Sequence, residues 1–161
     1  MYDINIFKEA NVELTIADIY YGISNNMIYL DQVVDAVLLC NNINDVDIFI
    51  AEFFYMDSLD KNDIQGLLEK LYWEKIIDAD AVTAKKWQHC IIKHIMTVYD
   101  DFELQKLKIA EAYADLDYPQ DMDELVYYMP SDCLDEDVPL HAKISVFLEE
   151  GRKNFEKILY S

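Results

Sequence analysis

The 161-residue chain has little that punctuates or staples a fold: three glycines, three prolines and three cysteines. So few glycines, none in a Gly-rich turn, leave nothing from which to build a phosphate loop or a dinucleotide-binding turn. Cys40, Cys90 and Cys133 are odd in number, widely spaced and form no CxxC pair, which argues against a disulfide framework or a zinc knuckle and for reduced, mostly buried thiols. Cations are scarce as well, with 13 Lys and Arg against 32 Asp and Glu for a net charge of −19. Without a basic footprint, direct binding to nucleic acid or to an anionic membrane is not expected. Long hydrophobic runs are missing too: the apolar run "IFIAEFFYM" is broken by Glu52, and the first residues, "MYDINIFKEANVELTI", lack a basic leader, so a cytoplasmic location is expected.

What is present is apolar surface. A hydrophobic content of 53% with 13% aromatics gives a chain of this length enough to bury a core of roughly two thirds of its unfolded surface and sets it apart from disordered acidic tails. Helical spacing dominates. Ile64, Leu67, Leu68, Leu71 and Tyr72 recur at i, i+3, i+4, i+7 and i+8, with Asp60 or Asp63 placed to cap the start. Comparable stripes run through Val12, Ile16, Ile19, Tyr20 and Ile23; through Val33, Val34, Val37 and Leu38; and through Val46, Phe49, Ile50 and Phe53. Later ones comprise Ala84, Trp87, Ile91, Ile95 and Val98; Leu104, Leu107, Ala110 and Ala114; and Leu140, Ile144, Phe147, Leu148, Phe155 and Ile158. The expectation is one all-α domain, residues 1–161, of about eight helices. A shift of 34 residues aligns "IADIYYGIS" with "IAEFFYMDS" and Val33, Val34 and Val37 with Leu67, Leu68 and Leu71, suggesting that the domain begins with two similar αα-hairpins, stacked as in repeat families.

Charge is unevenly spread. Residues 1–60 hold eleven acids and one base, residues 61–110 eight of each, and residues 111–142 ten acids and no base. The densest stretch is "YADLDYPQDMDELVYYMPSDCLDED", with nine carboxylates over residues 113–137. As a calcium loop it fails: from Asp115 the sixth position is Gln120 instead of glycine and the twelfth is Val126 instead of glutamate. Cys90 and His94 share a helix face at i, i+4, but two ligands do not complete a zinc site, and they fit better as the edge of the Ile91 and Ile95 stripe. Cys133 sits among carboxylates that oppose a thiolate. No pair of acids is singled out for catalysis, and no cofactor is called for. A non-catalytic role follows as the expectation.

Local logic in that stretch favours a short helix from about Asp121 to Met129, capped by Asp121 with Glu124 completing a capping-box variant and bounded by Pro119 and Pro130. Met122, Leu125, Val126 and Met129 would face the core, leaving Asp123, Glu124, Tyr127 and Tyr128 outward. Tyrosines beside carboxylates make a protein-binding surface suited to a basic partner. The candidate contacts are Asp115, Asp117, Asp121, Asp123, Glu124, Tyr127, Asp132, Asp135, Glu136 and Asp137.

The segments "AYADLDYPQDMDELVYYMP" (112–130) and "IADIYYGISNNMIYLDQVVDAVL" (16–38) resemble a family of small acidic bacterial proteins of uncharacterised function, some encoded beside polymorphic toxins. The resemblance implies an immunity-like protein that binds and neutralises a cognate, basic toxin domain. Two alternatives stand beside it: a helical-repeat adaptor using its hairpin groove, and a nucleic-acid mimic that inhibits a DNA-binding protein.

Overall fold

The stripes become helices. The computed structural model describes residues 1–40, 43–56, 60–77, 80–128 and 138–156, and these form eight α-helices: α1 (Ile6–Glu9), α2 (Ile16–Ser24), α3 (Val33–Leu39), α4 (Val46–Phe54), α5 (Lys61–Ile76), α6 (Asp80–Val98), α7 (Phe102–Asp115) and α8 (Leu140–Phe155). Short 3₁₀ turns, Leu30–Gln32 and Gln120–Leu125, precede α3 and follow α7. The described residues contain no β-strand, only isolated bridges between Tyr2 and Ile28 and between Val12 and Glu156. No helix among them is long and apolar enough to cross a membrane. The expected all-α class is what is found.

Helix α6 is the hub, packing against α1, α2, α7 and α8. Its stripe of Trp87, Ile91 and Ile95 is buried as the spacing predicts, joined by Cys90 and Ile92. Trp87 meets the Phe7 ring edge-on at 4.9 Å and donates its indole N–H to the Asp18 carbonyl at 3.0 Å. That indole also explains Gly22, where a β-carbon would come within 2.7 Å of the Trp87 ring. At the N-terminus of α2, Thr15 and Asp18 form a reciprocal capping box, which satisfies two otherwise orphaned donors. Asp60 caps α5 by accepting the Asn62 N–H at 2.7 Å.

The spacing fails at several positions: Leu38 and Val98, counted in their stripes, are exposed, and two further features depart from it. The buried face of α7 is Gln105, Ile109, Ala110, Ala112 and Tyr113, while Leu104 and Leu107 are exposed. The cause is Gln105, whose side-chain N–H₂ closes the turn before α7 by donating to the Tyr99 carbonyl at 2.5 Å, so a polar residue takes the inward position. The 34-residue match also changes meaning. Both segments are helix pairs, but Ile16 and Ala17 open α2 whereas Ile50 and Ala51 lie in the middle of α4, so the aligned residues occupy different turns.

Candidate docking surface

The acidic stretch begins where α7 ends. Its last turn closes through Leu116 N–H to the Ala112 carbonyl at 3.0 Å and Tyr118 N–H to the Tyr113 carbonyl at 2.9 Å. Asp117 and Tyr118 then adopt left-handed backbone, with φ of 60° and 57°, a region uncommon for residues with a side chain, though tolerated best by Asp and Asn. The edge-on contact of the Tyr113 and Tyr118 rings at 5.3 Å accompanies this reversal. Beyond Pro119 the chain forms the 3₁₀ turn.

The predicted capped α-helix over 121–129 is corrected here. Gln120–Leu125 is 3₁₀, no side chain caps it, and Val126 is extended. The two acids meant for capping and the solvent face are engaged elsewhere: Asp121 lies 3.5 Å from the Lys85 ammonium, and Asp123 accepts the Tyr113 hydroxyl at 2.5 Å. Met122, Leu125 and Val126 are nonetheless buried as predicted, and the 3₁₀ segment packs against α8. Those three anchors fix the segment despite its weak helical geometry.

Six of the ten predicted contacts lie on described residues: Asp115, Asp117, Asp121, Asp123, Glu124 and Tyr127. Asp132, Asp135, Glu136 and Asp137, together with Met129, lie outside them. Asp115 accepts the Tyr2 hydroxyl at 3.0 Å, a link across 113 positions. Burial and the Asp115 charge together push the Tyr2 hydroxyl pKa up. The hydrogen bond to Asp123, chiefly, pushes Tyr113 up to about 12. Both tyrosines therefore stay protonated donors at neutral pH. Asp117 and Glu124 are exposed.

Apolar area adjoins these acids. Tyr127 and Tyr128 are more than half exposed and meet edge-on at 5.2 Å. Lys106 lies over two rings at once, 5.7 Å from the Tyr127 centroid and 5.6 Å from that of Phe102, and pairs with Glu103 at 2.6 Å. One lysine is thus held by its own aromatic and acidic neighbours, Phe102, Tyr127 and Glu103, while Asp117, Asp123 and Glu124 lie on the segment that leads to Tyr127. This is a face that offers rigid contact area and negative charge together.

Two buried titratable groups, Asp18 and His89, escape the spacing. Asp18 is fully buried, bonded to Lys86, to the Thr15 N–H at 2.8 Å and to the Thr15 hydroxyl at 2.7 Å. Desolvation raises its pKa, against the lowering effect of Lys86 and Thr15. His89, also buried, places Nε2 3.1 Å from Glu156, which pairs in turn with Lys93 at 2.5 Å. Burial lowers the His89 pKa, so the imidazole is neutral near pH 7. Neighbouring Cys90 is buried, as the stripe predicts, and His94 pairs with Glu9 at 2.7 Å. Cys40, half-buried, has its thiol pushed up to about 12 by burial, which makes it a protonated, unreactive thiol. "TIAD" is a legible capping signal for Asp18; nothing in the sequence pairs His89 with a glutamate 67 positions later.

Fold and surface together define an all-helical protein with an acidic, tyrosine-bearing face. Residues 4–152 match the DUF2247 family, described as an uncharacterised protein conserved in bacteria, and the chain belongs to that family. No curated protein and no solved structure matches it.

Proposed function

We propose that the protein is a non-catalytic binding module of the immunity type, which neutralises a basic toxin domain by covering it with the face around Tyr127. The observation that carries this is the conjunction of exposed Tyr127 and Tyr128 with Asp117, Asp123 and Glu124 on one short segment that is itself anchored by buried Met122, Leu125 and Val126. Aromatic area at low entropic cost supplies affinity, and the excess of carboxylates over cations supplies fast, steered association with a cationic partner. Anchoring keeps the face preorganised, which lowers the cost of binding. A nuclease domain, whose phosphate cleft is basic, has the matching chemistry. A cytoplasmic site of action goes with this function.

The test is genetic and then physical. The genes flanking the coding sequence are read for a toxin-like product, and its terminal domain is expressed with and without this protein. Rescue of growth by the wild type, lost when Asp117→Lys, Glu124→Lys and Tyr127→Ala are combined, is the expected outcome. Rescue that survives those three changes rejects this face.

A further inference from the structure

A second face of the molecule carries the plainest mark of a missing neighbour. Phe54 and Tyr55, at the end of α4, are 73% and 88% exposed, the largest values for any large hydrophobic residue described. Beside Tyr55 runs an open groove of about 420 Å³ between α4 and α5, walled by Tyr55, Met56, Leu67 and Lys70 and floored by Gly66. Gly66 lies inside the 16-residue helix α5, and a β-carbon built there meets nothing within 4 Å. Gly22 and Gly151 are explained by the Trp87 and His89 rings that abut them; Gly66 has no such neighbour among the described residues. A glycine inside an exposed helix weakens it relative to alanine. Close approach by a partner is one use of a bare helical position that would offset that loss.

We propose that this groove docks a segment of a partner protein that places one aliphatic or aromatic side chain over Gly66 and carries lysine or arginine beside it. The choice of occupant rests on the protein-binding function proposed above and on charge. Glu52 and Asp63 line the groove, while its only lining cation, among the described residues, is Lys70, held by both Glu52 oxygens at 2.8 Å. A second copy of the chain would bring its own −19 to the same place, and like charges oppose that contact. Tyr55 is the aromatic wall, Gly66 the depth, and Glu52 and Asp63 the acids that select a cationic flank.

The experiment uses the intact protein and a synthetic amphipathic helical peptide of leucine and lysine, with a leucine-to-serine peptide of equal charge as control. Titration calorimetry at physiological salt is run on the wild type, Gly66→Leu, Tyr55→Ala and the triple face variant described above. Thermal melts of Gly66→Leu, which puts a good helix former at an open position, serve as the folding check and show no loss of stability. The expected result is at least tenfold weaker binding of the leucine peptide to Gly66→Leu and Tyr55→Ala, with the serine peptide weak throughout. Equal affinity for Gly66→Leu and the wild type overturns the groove. If the triple face variant alone then loses binding, the docking face around Tyr127 survives that outcome; absence of binding to every form removes the groove and leaves the genetic rescue to decide the function. A concentration-dependent dimer in sedimentation that Gly66→Leu abolishes also overturns it, assigning the groove to a second copy.

Discussion

A β-carbon at Gly151 would lie 2.0 Å from Nδ1 of His89, so helix α8 reaches α6 only because that position is bare. The ring has nowhere to go, being buried and tied through Nε2 to Glu156. Gly151→Ala is therefore expected to lower stability by about 1–3 kcal/mol, the usual penalty for overpacking, despite alanine's better helix propensity. Chemical denaturation of the variant measures it, and an unchanged midpoint contradicts the contact.

Gly66→Ala should have the opposite sign. With open space around the position, only propensity and unfolded-state entropy change, and a gain of about 0.5–1 kcal/mol is expected. A fall in the thermal midpoint would reveal a hidden contact within the fold.

His89 gives stability a pH dependence. Its folded pKa lies below the ordinary value of 6.5 because of burial. Above that ordinary value both states hold a neutral ring and nothing is gained or lost. As pH falls below it, the unfolded chain takes up a proton more readily than the folded one, and stability declines until the folded pKa is passed. Urea midpoints at pH 7.5 and 5.5 should differ more in the wild type than in His89→Gln; equal differences count against it.

Lys86 is the partner that makes a buried carboxylate tolerable. Lys86→Met should cost about 3 kcal/mol, the range seen when one member of a buried pair is removed, since Asp18 remains in the core with Thr15 as its other contact. Adding Asp18→Asn to that variant should recover part of the loss. A double-mutant cycle with no coupling between the two positions would contradict the ion pair.

Tyr127→Ala and Tyr128→Ala act on exposed rings and should shift stability by no more than about 0.5 kcal/mol. Under the function proposed above their effect falls on partner binding, and a large drop in melting temperature would mean that the rings are structural.

How far spacing reads a fold depends on which force places a residue. Ile64, Leu67 and Leu68 are buried where the helical period puts them, because burying apolar side chains is what orients an amphipathic helix. Tyr72 is buried as well, although its backbone leaves helical geometry there, at φ −134°. In α7 the rule fails at Gln105, which turns inward for one hydrogen bond to a turn carbonyl, and no pattern of apolar residues announces that. Asp121 fails as a cap for a similar reason: Lys85 lies on a helix that the sequence separates from it by 36 positions yet folds to within 3.5 Å. The face around Tyr127 is legible in part, since Met122, Leu125 and Val126 go inward as predicted. The Tyr2 to Asp115 and Tyr113 to Asp123 bonds are tertiary facts. Glycine meaning is the least legible of all, because Gly22, Gly66 and Gly151 look alike in helical patterns and differ only in what stands opposite them.

The bridge between Val12 and Glu156 has a consequence for the order of events in the cell. Glu156 binds His89 and Lys93, and Lys93 also donates to the Ala10 carbonyl at 3.1 Å, so three distant parts of the chain are fastened at one knot. A knot that joins positions 12 and 156 cannot form during synthesis until the ribosome has released nearly the whole sequence described here. Until then the side of α6 that α8 covers in the finished fold stays exposed on the growing chain.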